Sequence, residues 1–505
     1  MSAAANAGAA GVVAPSLAER LGATAEDGPA GELRLRVGAG EFNAAARDLR
    51  DARARFVTIF EADTPEPALM GAFALPGALV VLRAPTVDAS PLGNPIKYGS
   101  IGVWWPAARW AEQELVERGG GDGPPGGFAR CLTKPDADLL DRRVEGLDVF
   151  VIPYGPVRSG VFEAIQFQIE TGGEDVPRIQ TRPFFKHRGM EARFAGLEPR
   201  AAVHVAERVA GVASAAYASA FCQAVERAVG VAAPPRAERW RAVYAELERV
   251  ACHLDVIAKE AETTALYVGQ ARFGILKEQV MRLRAALTGS RFGRGVITPG
   301  GVLADGALAP DQLLAALDRL ERELRRDRRL FLGTASMTDR LIGAGRLERA
   351  LVEDHSAVGP LARGSGLSTD ARHERPYGDY RRLGLRVFTR REGDAMARVN
   401  VRFDELSESL RILRQSIDHL RAPDAGLAVE LPAKASGAAF GWAEAPQGEL
   451  VIWVEIRSGL VHRVHIASPS LRNWALFHHA FPADVLTDFA FIEHSFGLSV
   501  AGADR

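Results

Sequence analysis

Cysteine is scarce in this chain, with three in 505 residues, at Cys131, Cys222 and Cys252. No two of them stand in a C-x-x-C spacing, so there is no basis for a disulfide framework, a zinc ribbon or a cysteine-held iron–sulfur cluster within the chain. An excess of one charge sign is also missing. The 62 basic residues nearly balance 63 acidic ones, and a net charge of −1 provides no basic field for nucleic acid. Long hydrophobic runs are absent too. The best candidate, Val209–Val225, is alanine-rich, is bounded by Glu207, Arg208, Glu226 and Arg227, and falls short of a bilayer span, which predicts a buried helix. Met1–Ala14 has no positively charged opening, so no secretory signal is expected. Nucleotide fingerprints fail: Val37-Gly-Ala-Gly40 and Gly343-Ala-Gly345 lack a third glycine, and no GxxxxGK[ST] occurs. Gly289-Ser-Arg-Phe-Gly-Arg-Gly295 reads as a loop rather than a phosphate cradle.

What is present suffices for two or three domains with ample cores, since 47% of residues are hydrophobic and 25% charged. Residues 1–30 are rich in Ala and Gly and are expected to be disordered. Residues 31–118 mix short alternating strands (Leu33–Val37, Arg55–Phe60, Gly77–Leu82) with a helix near Glu41–Ala54 and a shorter one at Pro106–Glu114, which predicts an α+β domain. The Gly119–Gly127 run opens a Gly/Pro-rich linker over 119–143. From 144 to 505 the pattern is mainly helical. Apolar stripes run through Arg236–Ala261, Pro310–Leu330 and Leu406–Leu420, and strands return at Leu450–Ile456 and Leu460–Ile466.

Chemistry-bearing residues are few. His462 and His465 lie three apart on an expected strand and point to opposite faces, so a shared metal is not expected. His253, beside Leu254 on the long helix, reads as a packed histidine. The dense polar segments carry more information. They are Phe185-Lys-His-Arg-Gly-Met-Glu191, Gly359-Pro-Leu-Ala-Arg-Gly-Ser-Gly366, Asp370-Ala-Arg-His-Glu-Arg-Pro-Tyr377 and Gly393-Asp-Ala-Met-Ala-Arg398. Their glycines permit close backbone approach and their charges set a local field, although a salt-bridged surface loop set accounts for the same composition.

On these segments the chain resembles the 49-kDa-type family of complex I (NADH-quinone oxidoreductase) and the related large subunits of membrane-bound nickel–iron hydrogenases, the formate hydrogenlyase type above all. The likeness runs in order through Tyr154-Gly-Pro, His187-Arg-Gly-Met-Glu191, Glu246-Leu-Glu-Arg249 to His253-Leu254, Gly359-Pro, Asp370-Ala-Arg372, Gly393-Asp394 and Phe440–Gly448. The segment Pro106–Glu114 is similar, more weakly, to the 30-kDa-type domain, so the whole looks like the arrangement in which the 30-kDa and 49-kDa types are fused. The resemblance implies an α+β N-terminal domain (31–118) followed by a large, mainly α domain (144–505) of the nickel–iron hydrogenase large-subunit/complex I 49-kDa type, with a small β portion near the C-terminus.

The departures are informative. Where the hydrogenase frame holds two pairs of thiolates, the matching positions are Ala210 and Ala213, then Ser499 and Gly502. No nickel–iron centre is therefore expected, because soft thiolates are what hold those metals. Where the complex I frame holds a quinone headgroup with histidine and tyrosine, Arg158 and Gly211 stand. The resemblance implies an electron-transfer cavity lined by Arg158, Glu163, Gln166, His187, Arg188, Glu191 and Arg372, with quinone as a possible substrate. It implies no cofactor bound by this chain, an iron–sulfur cluster in a small partner subunit, and a membrane subunit of the channel type. Any NADH is bound by another chain. A hetero-oligomeric, cytoplasmic complex, peripheral on the inner face of the cell membrane and without nucleic acid, is expected. The alternative is an architectural subunit that keeps the docking faces and has lost the site.

Overall fold

A computed structural model describes residues 17–62, 66–85, 99–119, 149–158, 163–421, 426–482 and 484–505. The chain divides into two compact units, residues 1–143 with 354–356, and residues 144–353 with 357–505. Apart from Gly119, the expected linker over 119–143 lies outside the described residues.

The first unit is built on a five-stranded sheet in the order β1-β2-β5-β4-β3, from β1 (Thr24–Glu26), β2 (Glu32–Arg36), β3 (Arg55–Ala62), β4 (Ala68–Leu75) and β5 (Ala78–Pro85). Pairs are antiparallel except β2 with β5. Alternation in Glu32-Leu-Arg-Leu-Arg36 turns Leu33 and Leu35 inward. Helix α1 (Phe42–Asp51) buries Phe42, Ala45, Ala46 and Leu49. Gly71 on β4 lets Phe42 lie flat on the sheet, since a Cβ there would come within 2.8 Å of the ring. Helix α2 (Ala108–Gly119) carries Glu112, whose buried carboxylate accepts from Ser100 Oγ (2.7 Å) and Ile101 N (2.8 Å). Disorder through residue 30 does not hold from residue 17 on: Leu17, Ala18 and Leu21 are buried in this core and β1 follows. The apolar anchors in an otherwise Ala/Gly-rich stretch explain the difference.

The second unit opens on a sheet rather than a helix, β6 (Phe150–Tyr154), β7 (Gln166–Thr171) and β8 (Arg178–Arg182), all antiparallel. Its centre is helical. The apolar run at Val209–Val225 splits: the first residues form a turn, and helix α3 spans Ser214–Ala228. Helix α4 (Pro235–Thr263) begins with proline at its first turn and, at 29 residues, is about 43 Å long. Helices α5 (Tyr267–Thr288) and α7 (Ala395–His419) pack along it, and α6 (Pro310–Leu332) covers α5 and α7. A second antiparallel sheet, β9 (Gly437–Ala445), β10 (Gly448–Arg457) and β11 (Leu460–Ala467), lies on α3. This contact is why α3 is alanine-rich. A Cβ on Gly441 would sit 2.0 Å from the Ala220 carbonyl oxygen and 2.6 Å from the Ala224 nitrogen, so sheet and helix meet backbone to backbone. Helix α8 (Phe489–Phe496) ends on Gly497 in the left-handed region and leads into the last residues. Among the described residues no helix is long and apolar enough to cross a membrane.

Candidate functional site

Two short segments far apart in sequence meet in the second unit. One is the turn Val209–Ala213 before α3, and the other is the segment Gly497–Gly502 after α8. A Cβ on Gly502 would lie 3.4 Å from the Ala210 Cβ, 3.4 Å from the Ser499 Cβ and 3.3 Å from the Tyr217 Oη. Three of the four replaced ligand positions thus share one small region, and Ala213 caps the helix beside it.

The scaffold holding these segments is polar and largely closed. Arg188 Nη2 donates to the carbonyls of Val209 (2.5 Å) and Ala501 (3.0 Å), and Nη1 donates to Arg208 O (3.1 Å), so one guanidinium joins both segments. Glu163 accepts from Ser499 Oγ (3.2 Å), Val500 N (2.5 Å) and Ala501 N (3.0 Å). His187 donates from Nδ1 to the Asp504 carbonyl (2.8 Å), leaving Nε2 facing out from an exposed ring. Asp504 in turn accepts from Phe184 N (2.7 Å) and Lys186 N (2.8 Å), and burial lifts its carboxyl above the usual range. Glu191 accepts from Ile466 N (2.8 Å) and Arg505 Nη1 (3.0 Å). Tyr217 is fully buried, which pushes its phenol up to about 12, and its hydroxyl lies 3.4 Å from Ser468 Oγ. Tyr217, Asp504 and Arg505 were missed from sequence, although a lone tyrosine in an alanine run was a usable signal.

Two expected lining residues stand apart from this cluster. Arg158 is buried, held between the rings of Tyr154 and Phe167 (5.0 Å each), and forms a two-pronged pair with Glu493 at 2.9 and 2.6 Å. Burial pulls against its charge, but the Glu493 carboxylate outweighs this and holds the guanidinium above its ordinary value. Arg372 donates to Asp370 (2.7 Å) and Glu246 (2.8 Å), in a different network from Glu163 and Arg188. Gln166 opens β7 opposite Arg182 and is half-buried.

The second network accounts for the polar segments Gly359–Gly366 and Asp370–Tyr377, and it is buried rather than a surface loop set, whereas Phe185–His187 of the first segment are exposed. Glu246 accepts from Arg372, Tyr380 Oη (2.6 Å) and Ser409 Oγ (2.6 Å). Arg363 donates to Glu405 (2.7 Å) and Glu444 (2.9 Å). Such charges persist in a core only when paired and hydrogen-bonded, and these are. The Ser290–Gly295 loop offers no phosphate cradle. Its Gly293 N–H goes to the Ser290 carbonyl, Arg294 N–H to Ser290 Oγ and Gly295 N–H to Glu207.

The donor set does not suit nickel and iron. None of the side chains at Ala210, Ala213, Ser499 and Gly502 carries sulfur, and Ser499 Oγ donates to Glu163 (3.2 Å) while accepting from Gly502 N (3.0 Å). Among the described residues, no group of three or more His, Cys, Asp or Glu side chains is arranged to hold a metal ion.

The family model for the respiratory-chain NADH dehydrogenase 49 Kd subunit matches residues 261–431. Formate hydrogenlyase subunit 5 of Escherichia coli is 28% identical over 367 residues, covering 70% of this chain and 63% of that protein. An NADH-quinone oxidoreductase subunit of Rhizobium etli is 30% identical over 310 residues, covering 60% of this chain and 73% of that one. A chain in the solved structure of the membrane-bound sulfane sulfur reductase, an archaeal respiratory membrane complex, superposes with a TM-score of 0.67 at 25% identity, over 71% of this chain and 99% of its own.

Proposed function

Because the chain belongs to the 49-kDa subunit family of respiratory-chain NADH dehydrogenase, the NADH-quinone oxidoreductase, we propose that it is the large subunit of a membrane-associated oxidoreductase complex that passes electrons to an acceptor without a nickel–iron centre. The reading rests on Arg188 still joining the two segments, with Glu163 holding the second of them, although every thiolate position is Ala, Ser or Gly. The framework of a site is kept while its metal chemistry is gone. Electrons then arrive from an iron–sulfur cluster in a small partner subunit, and a channel-type membrane subunit anchors the assembly to the inner face of the cell membrane. This chain's share is shape and field: Arg188 and Glu163 fix the segments, and the outward Nε2 of His187 is a group available to a bound acceptor.

The acceptor is a quinone or another two-electron carrier. Sulfane sulfur joins quinone here because the solved relative of matching shape belongs to a sulfane sulfur reductase. One observation favours the architectural reading: Arg158, the expected headgroup donor, is committed to Glu493. The deciding experiment purifies the complex from its native membranes through a tag on this chain, measures iron and nickel, and assays turnover with quinone analogues and with polysulfide. Iron without nickel, together with turnover on one acceptor, supports the redox reading. Nickel at stoichiometric level overturns it, and an intact complex inert toward both acceptors establishes the architectural one.

A further inference from the structure

Helices α4 and α7 run antiparallel and face each other through a ladder of polar rungs inside the core. Glu246 accepts from Ser409 Oγ at 2.6 Å, Arg249 stands 3.8 Å from Glu405, and Arg402 Nη1 approaches His253 Nδ1 at 3.4 Å. Further along, Glu260 faces Arg398, and this rung is open. Neither Glu260 carboxyl oxygen has a hydrogen-bond partner, and Arg398 Nη2 and Arg402 Nε also have none. All three residues are sealed from solvent, at 0%, 0% and 1% exposure. An ionised carboxylate with no contact in a dry core costs several kcal/mol, whereas a neutral acid costs far less.

The two arginines have tasks elsewhere. Arg398 Nε donates to Ser495 Oγ (2.9 Å), and Nη1 donates to the carbonyls of Gly345 (2.9 Å) and Gly393 (2.8 Å). Arg402 Nη2 donates to the carbonyls of Ser495 (3.1 Å) and Phe496 (2.9 Å). Both therefore grip the end of α8, from which Gly497–Gly502 hangs. Gly497 itself is pressed on Arg402, since a Cβ there would crowd Nη2.

We propose that Glu260 is a buried proton-binding site that sets the anchorage of the Gly497–Gly502 segment. With its proton on, the carboxyl is neutral, the rung stays open, and both guanidiniums hold the α8 carbonyls and Ser495. When the carboxyl O–H bond breaks and the proton passes to solvent water, the carboxylate draws Arg398 and Arg402 across the rung and off those carbonyls. Other charges weigh on the balance. Asp394 and Asp484 act on Arg398; Glu405 and Cys252 act on Arg402; His253 lies between Arg402 and Glu405. Burial raises the Glu260 carboxyl well above its ordinary range, against the pull of the two guanidiniums, and the lack of any hydrogen-bond partner for either oxygen favours the same neutral form.

The inference does not depend on which acceptor the complex serves, and its test reads no turnover. Infrared spectra of the purified complex in light and heavy water are compared for wild type and Glu260→Gln, and amide exchange over 497–502 is followed as pH rises. Expected are a protonated-carboxyl band in wild type that Glu260→Gln loses, an unchanged melting temperature for that variant, and segment protection, corrected for the base-catalysed intrinsic rate, that falls at high pH in wild type alone. No band difference overturns the proposal. So does a Glu260→Gln chain that fails to fold, because the amide copies the neutral acid in shape, and so does corrected segment protection that falls equally in both.

Discussion

Arg158 and Glu493 bind each other through two parallel hydrogen bonds of 2.9 and 2.6 Å, with the arginine side chain almost completely enclosed. They are 335 residues apart, so the pair staples the start of the second unit to α8. A guanidinium in this position is committed to the fold before any headgroup arrives.

From that pairing, Arg158→Ala should destabilise the chain by about 3–5 kcal/mol, because it leaves the Glu493 carboxylate without its counter-charge. Glu493→Ala should cost a similar amount. The double variant should cost clearly less than the sum, since it removes both charges together. Denaturation of the four forms gives the coupling. An Arg158→Ala chain as stable as wild type but with altered acceptor affinity would return Arg158 to the role of headgroup donor.

Glu163 satisfies two backbone N–H groups and one hydroxyl in the segment carrying Ser499. Glu163→Ala strands those donors, and the expected loss is about 1–3 kcal/mol, confined to that segment. Amide exchange at 499–502 should rise while exchange in α4 and α7 stays unchanged. Glu163→Gln, which keeps one acceptor oxygen, should fall between. Uniform protection in Glu163→Ala would show that the carboxylate does not hold the segment.

His253 supplies the acid dependence. Its Nε2–H donates to Glu405 (2.8 Å) while Nδ1 faces an Arg402 N–H (3.4 Å), so only the neutral ring satisfies both neighbours. Burial outweighs the attraction of Glu405 and pushes the ring down to about 4. In the unfolded chain the ring takes up a proton near pH 6.5. Stability from this group is therefore full above about 6.5 and declines as pH falls toward 4, by about 3 kcal/mol in all. Unfolding free energies of wild type and His253→Gln between pH 7 and 4 test the sign. The slope should flatten in the variant, and an equally steep slope would place the titration elsewhere.

Periodicity made the long helices readable. Arg236–Ala261 and Pro310–Leu330 match α4 and α6 to within two residues because each presents one continuous apolar stripe. Sheet β6–β8 was not legible. Phe150, Ile152 and Tyr154 are exposed on an edge strand, so no alternation of buried and exposed positions marks it. Strand β9 was hidden for the opposite reason, being almost entirely buried with small residues against α3. At the site, the frame around the replaced thiolates pointed to the two segments that meet. Which charges close on which partners was not legible: Arg158 finds Glu493 and Arg372 finds Glu246 across 335 and 126 residues, and one sequence carries no trace of such distant choices.

The meeting of the two segments can itself be tested by chemistry. An ideal Cβ on Gly502 lies 3.4 Å from the Ala210 Cβ, close to the separation of about 3.5–4.5 Å found across disulfides. Neither position requires a left-handed backbone, so both accept a cysteine side chain. The Ala210→Cys/Gly502→Cys chain should therefore close a disulfide on mild oxidation, and among the described residues the thiols Cys222 and Cys252 should stay reduced, since burial pushes both up and suppresses the thiolate. Closing a loop of nearly the whole second unit should raise the melting temperature of the oxidised form over its reduced form, because the cross-link restricts the unfolded chain. Peptide mapping after thiol labelling reads the result. Two free thiols at 210 and 502 after oxidation would mean that the segments do not meet, and with that the retained framework on which a redox cavity here depends would be lost.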